Sequence, residues 1–253
     1  MLDLFRLDGA LAVVTGSSQG IGLALAKGLA AYGARVVING RGAEKVAQAV
    51  ESLRRDGYEA HGRVFDAASP MVASAIDAIE AELGPIDILV NNAGMQFRAP
   101  LEDFPSDKWE ELLKTNISSV FYTSQATARH MIARGRGKII NIGSVQSELG
   151  RPSIAPYAAT KGAVKNLTRG MCADWARHGL QINGIGPGYF KTPLNQALVD
   201  DPDFTGWLEK RTPAGRWGDV EELIGAAVFL ASPASSFVNG HMLYVDGGIT
   251  TCL

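Results

Sequence analysis

Residues 11–30 read LAVVTGSSQGIGLALAKGLA: a short apolar run, a glycine-bearing turn and an amphipathic stretch succeed one another without a break. The apolar run, bounded by turn residues, has the length of a buried strand, and the stretch beyond the turn has helical period. Glycines fall at 16, 20 and 22, a G-x-x-x-G-x-G spacing. Where a strand runs into a helix this way, the chain must turn tightly and can bring bare N–H groups against a pyrophosphate at the helix N-terminus. Gly16, Gly20, Ile21 and Gly22 are the residues such a loop would use, with the hydroxyls of Thr15 and Ser17 beside them.

Outward from this unit the same alternation continues. LAVVTG (11–16), ARVVIN (34–39), DILVNN (87–92), KIINIG (138–143), LQINGI (180–185) and HMLYVD (241–246) read as strands, with a weaker one in EAHGRVF (59–65). Helical stretches fall near 20–32, 43–56, 70–83, 107–133, 156–177 and 219–231. The alternation predicts α/β architecture, a doubly wound parallel sheet of about seven strands with helices on both faces. Asp219 with Glu222, and Asp107 with Glu110, have the spacing of capping boxes. The chain reads as one domain over 1–253. Its one irregular region, 188–216, is long and turn-rich, a pattern shared by binding segments and by decoration.

Apolar residues make up 46% and charged residues 20%, with a net charge of −2. That balance fits a globular protein and gives no basic field for nucleic acid. The start, MLDLFRLDGA, is acidic where a secretory leader would be basic, and no apolar run approaches a membrane span, so a cytoplasmic protein is expected. Cys172 and Cys252 have no ligand spacing; Cys172 reads as a helix packing residue and Cys252 has no assignable role. His130, His178 and His241 are scattered, and no metal is expected.

The stretch YAATKGAVK, 157–165, places Tyr157 and Lys161 one helical turn apart among small side chains. A nearby cation favours the phenolate, so such a pair can exchange a proton with a substrate oxygen. A half-buried Tyr beside a solvated Lys would look the same in sequence. At the end of the second strand, Asn39-Gly40-Arg41 stands where NAD-binding chains carry an acid for the ribose hydroxyl. The missing acid favours NADP over NAD, and Arg41 either meets the 2′-phosphate or is a solvated residue.

Together, Thr15–Gly22, Asn91-Asn92-Ala93-Gly94, Asn116, Ser144, Tyr157-Ala-Ala-Thr-Lys161, Pro187-Gly188, Thr192 and Asp246-Gly247-Gly248 make the chain resemble the classical short-chain dehydrogenases/reductases over its whole length. The resemblance implies an oxidoreductase in which Tyr157 is the acid/base and Lys161 lowers its pKa and bonds the nicotinamide ribose. It further implies that Ser144 bonds the reacting oxygen and that Asn116 holds a water in a proton relay. Asp66, Asn92, Gly94, Pro187, Gly188 and Thr192 would add cofactor contacts. A homotetramer through helices 107–133 and 156–177 is also implied, although Ala158, Ala159, Gly162 and Ala163 taken alone mean only close helix packing. Two positions depart from the pattern: Asp66 is followed by Ala67, and Gly184 and Gly186 would loosen the strand before Pro187.

GPGYFKTPLNQAL, EKRTPAGRWG and SVQSELGRPSIAPY resemble family members that interconvert D-gluconate and 5-keto-D-gluconate. A sugar acid needs a cation for its carboxylate, and Arg98, Arg151, Lys191 and Arg211 are the candidates. Gln146, Ser147 and Glu148 would bond its hydroxyls. Trp207, Trp217 and Phe190 suit a lid or a packing anchor. The competing readings are a 3-oxoacyl thioester reductase, another polyol dehydrogenase, and a nucleotide-binding regulatory protein without chemistry.

Overall fold

Seven short strands make an all-parallel sheet with helical crossovers on both faces; its central strands are buried and the edge strands, Ala60–Val64 and Met242–Val245, are only partly so. The computed structural model describes residues 3–252. The strands are β1 (Leu11–Val14), β2 (Arg35–Gly40), β3 (Ala60–Val64), β4 (Ile86–Asn91), β5 (Gly137–Ile142), β6 (Leu180–Pro187) and β7 (Met242–Val245). Their order is β3-β2-β1-β4-β5-β6-β7, which gives a Rossmann-type sheet. The helices are α1 (Gly20–Ala31), α2 (Ala43–Arg55), α3 (Val72–Leu83), α4 (Ser106–Leu113), α5 (Ser119–Arg134), α6 (Ala155–Trp175), α7 (Gln196–Val199), α8 (Pro202–Arg211) and α9 (Ile224–Ala231).

The two-residue period of a strand divides the core. Leu11 and Val13 enter one half with Ile76 and Ile79 of α3, Met131 of α5 and Val164 of α6. Ala12 and Val14 enter the other with Leu25 and Leu29 of α1, Leu53 of α2 and Leu230 of α9. Each fully buried Leu or Ile contributes about 1.5–3 kcal/mol. The order reverses direction between β1 and β4, so the connections diverge there and leave a crevice at the strands' C-terminal ends.

Four local features differ from or refine the sequence expectation. The stretch 107–133 is two helices joined by a π-turn at Lys114–Ser118, around the buried Asn116. Asp107 is not a cap: Pro105 holds the N-cap position without a side-chain bond, and Asp107 lies in the first turn of α4. Asp219 and Glu222 do form a capping box, opening a 3₁₀ turn at Val220–Leu223 that runs into α9. Gly184 and Gly186 do not loosen β6, which is continuously paired to β5 and β7. A methyl group at either glycine would lie 2.4 Å from the Met242 or Tyr244 side chain, so both serve close packing against β7.

The irregular segment folds into α7 and α8 and is clipped at its base. Lys191 N–H donates to Gly218 O (3.0 Å) and Gly218 N–H to Tyr189 O (2.9 Å). Phe190 and Trp217 are buried anchors, and the Trp217 indole donates to Thr205 Oγ1 (3.1 Å). Trp207 is 43% exposed. Among the described residues no helix is long and apolar enough to cross a membrane.

Candidate active site

A cleft of ≈ 540 Å³ crosses the C-terminal ends of β1 to β6. At one end stands the glycine loop. Gly16 has φ +60°, and a methyl at Gly22 would lie 2.4 Å from Asn92 Nδ2 and 2.7 Å from Gly16 O. Side chains are excluded, so the backbone itself faces the cleft. The N-terminus of α1 has no side-chain cap and no acid in its first turn, which leaves its N–H groups and positive dipole end for a phosphate. These residues fit a dinucleotide.

The loop's own polar groups are satisfied inside the protein. Asn92 Nδ2 donates to Thr15 O and Gly16 O, both at 3.0 Å, and Thr15 Oγ1 accepts from the N–H groups of Asn92 and Ala93. Ser17 is fully buried; its hydroxyl donates to Val14 O (2.6 Å) and accepts from Asn39 N–H (3.0 Å). Thr15 and Ser17 therefore brace the loop instead of offering hydroxyls, and Ser18 lines the cleft in their place. Asn39 Oδ1 accepts from Gly16 N–H (3.1 Å), while its Nδ2 donates to Arg63 O and Phe65 O. The sequence shows only an acid missing from that region and gives no sign of this brace.

Gly20, Ile21, Arg41, Asp66, Asn92, Gly94, Pro187, Gly188 and Thr192 all line the cleft. Arg41 is exposed there. Asp66 turns its own chain, accepting from Ala68 N–H (2.9 Å), and Ala67 lines the cleft beside it.

At the centre, Ser144 caps the 3₁₀ turn just after β5, and Tyr157 and Lys161 lie in α6. The loop between is fixed by a reciprocal cap: Ser144 Oγ accepts from Gln146 N–H (3.1 Å) and Ser144 N–H donates to Ser147 Oγ (3.3 Å). Ser147 Oγ also donates to Lys161 O (2.9 Å), which ties this loop to the helix. Burial pushes the Tyr157 phenol up to about 12; the hydrogen-bonding Ser144 hydroxyl and the Arg98 charge oppose this, and Tyr189 adds to it. Lys161, only 6% exposed, is pushed down to about 8 by burial. Its ammonium donates to Ile142 O (2.8 Å) and lies 5.7 Å from the Tyr157 ring centroid. The phenol is thus raised and not lowered as expected, because desolvation outweighs the Ser144 hydrogen bond and the Arg98 charge.

Asn116 is 1% exposed and both ends of its amide are used. Oδ1 accepts from Met95 N–H (2.8 Å), and Nδ2 donates to Met95 O (3.0 Å) and Thr160 Oγ1 (3.1 Å). The side chain pins the Asn92–Met95 turn to α6.

Beyond Tyr157 the cleft is lined by Arg98, Gln146, Arg151 and Tyr189. Arg98 Nε, Arg151 Nε and Gln146 Oε1 are buried without a hydrogen-bond partner. Arg98 donates to Gln96 Oε1 (3.1 Å) and Arg151 lies over Phe204; neither meets a carboxylate among the described residues. Burial first, and then the charge of Arg151, lower the pKa of Arg98. Tyr189, missed in the sequence, receives Gln146 Nε2 on its hydroxyl (3.4 Å); its place after Pro187-Gly188, at a strand's C-terminal end, was the available signal.

Other candidates lie elsewhere. Lys191 pairs with Asp219 (3.3 Å), and Arg211 donates to Cys252 O (2.8 Å). Ser147 is used internally, and Glu148 is paired with Lys165 and Tyr244. Cys172 packs against the core and Cys252 is exposed, both as free thiols.

A helix end open to a phosphate and a half-buried phenol that shares one cleft with a serine and a lysine are what a nicotinamide-dependent oxidoreductase requires. Comparison with known proteins places the chain more narrowly. A family model described as enoyl-(acyl carrier protein) reductase matches residues 16–250. Gluconate 5-dehydrogenase of Gluconobacter oxydans (strain 621H) is 64% identical over 252 residues, covering 99% of this chain and 98% of that protein. The 5-keto-D-gluconate 5-reductase of Escherichia coli (strain K12) is 56% identical, covering 98% of each. The crystal structure of a gluconate 5-dehydrogenase from Burkholderia cenocepacia J2315, in complex with NADP and tartrate, superposes with a TM-score of 0.97 at 63% identity and 99% coverage of both chains. The chain belongs to the short-chain dehydrogenase/reductase family and is an NAD(P)-dependent oxidoreductase acting on CH–OH groups.

Proposed function

We propose that the chain interconverts 5-keto-D-gluconate and D-gluconate with NADP(H) in preference to NAD(H). The observation that carries the substrate is the pair of arginines beside Tyr157, each with a buried Nε left without a partner. Neither guanidinium meets a carboxylate among the described residues, so a substrate carboxylate in the cleft they line would supply the missing counter-charge. An uncharged acyl chain has no use for two half-buried cations without carboxylate partners, and this speaks against the thioester reading. The Gluconobacter and Escherichia relatives carry names that match this substrate.

Gly16, Ser18, Gly20, Ile21, Gly22, Asp66, Asn92, Gly94, Pro187, Gly188 and Thr192 would hold the cofactor, with Arg41 at its 2′-phosphate. When bound, the nicotinamide supplies or accepts the hydride. Tyr157, protonated well above neutral pH, gives its proton to the ketone oxygen as the carbon is reduced and takes one back in the reverse direction. Ser144 orients that oxygen, and the Lys161 ammonium stabilises the phenolate left after transfer. Asn116 would keep the Asn92–Met95 turn in place beside the catalytic helix. The chain works as one unit, and the exposed Ala159 beside the uncrowded Gly162 on α6 supports docking of a second copy in a homotetramer.

The test is loss of NADPH absorbance with 5-keto-D-gluconate, run beside NADH and an acetoacetyl thioester. Turnover with the keto acid and NADPH, weakened for NADPH alone in Arg41→Ala, is expected. Turnover of only the thioester would move the function to acyl reduction, and equal use of NADH would remove the role of Arg41. Light scattering reads the subunit number.

A further inference from the structure

The lid helix α8 does not line the cleft, yet one of its side chains touches a residue that does. The Arg151 guanidinium carbon lies 5.1 Å from the Phe204 ring centroid. Phe204 is held in turn: its N–H donates to the Asp201 cap (3.1 Å), and its ring packs on Tyr189, Trp207 and Trp217 at 5.6, 5.3 and 6.0 Å between centroids. The cluster is attached to the sheet through Tyr189 and closed by the Tyr189–Gly218 clip.

We infer that Phe204 is a positioning residue for the anionic end of the substrate, acting through Arg151. An aromatic face can hold a guanidinium by its quadrupole without neutralising it. A carboxylate in the same place would fix Arg151 equally well but cancel the charge the substrate needs. Held over the Phe204 ring, the guanidinium keeps N–H groups for a ligand carboxylate. Rigid placement of a long side chain before binding also removes part of the ordering cost on association. The lid thereby sets acid specificity without touching the substrate.

The inference rests on the sugar-acid reading, and the experiment separates the two. Steady-state kinetics with 5-keto-D-gluconate are compared for the wild type, Phe204→Leu, Phe204→Tyr, Arg151→Gln and the Phe204→Leu/Arg151→Gln double variant. Phe204→Leu is expected to raise KM about three- to tenfold, the range of a cation–π contact, with kcat nearly unchanged. Phe204→Tyr should restore the wild-type KM. In the Arg151→Gln background, Phe204→Leu should have no further effect on KM. An equal rise in both backgrounds, a fall in kcat with KM fixed, or no effect in either would overturn the inference. If the wild type fails to reduce the keto acid, the substrate reading itself falls.

Discussion

The two ends of the cleft solve their polar accounting in opposite ways. At the glycine loop, Thr15, Ser17, Asn39 and Asn92 satisfy one another and the backbone, so the surface offered to a ligand is main chain at a helix end. At the other end, Arg98, Arg151 and Gln146 each bury a polar atom without a partner, on loops after β4 and β5 and under a clipped lid. Recognition of an unvarying phosphate can be built into the fold and braced. Recognition of one substrate among many is left to side chains whose hydrogen bonds the protein does not complete for itself.

The comparison can be broken at the point where the ends meet. Tyr157→Phe removes only a hydroxyl and should lower kcat by about 10²- to 10⁴-fold, the usual worth of a general acid, while fluorescence titration shows NADPH binding unchanged. A loss of cofactor affinity of similar size would mean that the two ends are not separable.

At the braced end, Asn39→Ala strands Gly16 N–H and two carbonyls. It should cost about 3 kcal/mol of stability in urea unfolding, with weaker NADPH binding as a consequence. At the unsatisfied end, Arg98→Met should leave urea stability within about 1 kcal/mol of wild type, since a partly desolvated charge is lost along with its bond to Gln96. Its KM for the keto acid should rise about ten- to hundredfold, the value of a charge-assisted bond. Reversal of these two stability effects would refute the contrast.

The smallest effect concerns pH. Lys161 titrates near 8 when folded against 10.5 ordinarily, so between those values the unfolded chain binds the extra proton and stability rises with pH. Tyr157 is raised from 10.0 to about 12, so over that window the folded state keeps a proton the unfolded chain releases, and stability falls. The urea midpoint should therefore climb from pH 7 to pH 9, and Lys161→Met should flatten the climb. In the same range kcat/KM for reduction should decline above about pH 8 as the ammonium is lost.

Much of this was legible in the sequence, for identifiable reasons. Strand positions came from apolar runs, and the Gly16–Gly22 loop from the strand and helix around it. The π-turn at Asn116 escaped because one extra residue within 107–133 barely disturbs a helical period, and the partners of the Asn116 side chain, Met95 and Thr160, lie in other segments. Ser17 misleads because a hydroxyl looks alike in sequence whether it faces a ligand or, as here, Val14 and Asn39. Lys191 failed for a related reason: its partner Asp219 lies beyond the insertion, and only the Gly218 clip brings the two together. Tyr189 and Phe204 carry no motif, and their importance comes from which arginine they approach.

That clip has an evolutionary consequence. Two backbone hydrogen bonds close the segment between Tyr189 and Gly218, and closure entropy grows only logarithmically with the length enclosed. Residues can be inserted, deleted or exchanged inside the loop while its two ends stay in register with each other just beyond β6. The lid is therefore a replaceable cassette, through which descendants of one reductase can acquire new substrates without rebuilding the chemistry beneath.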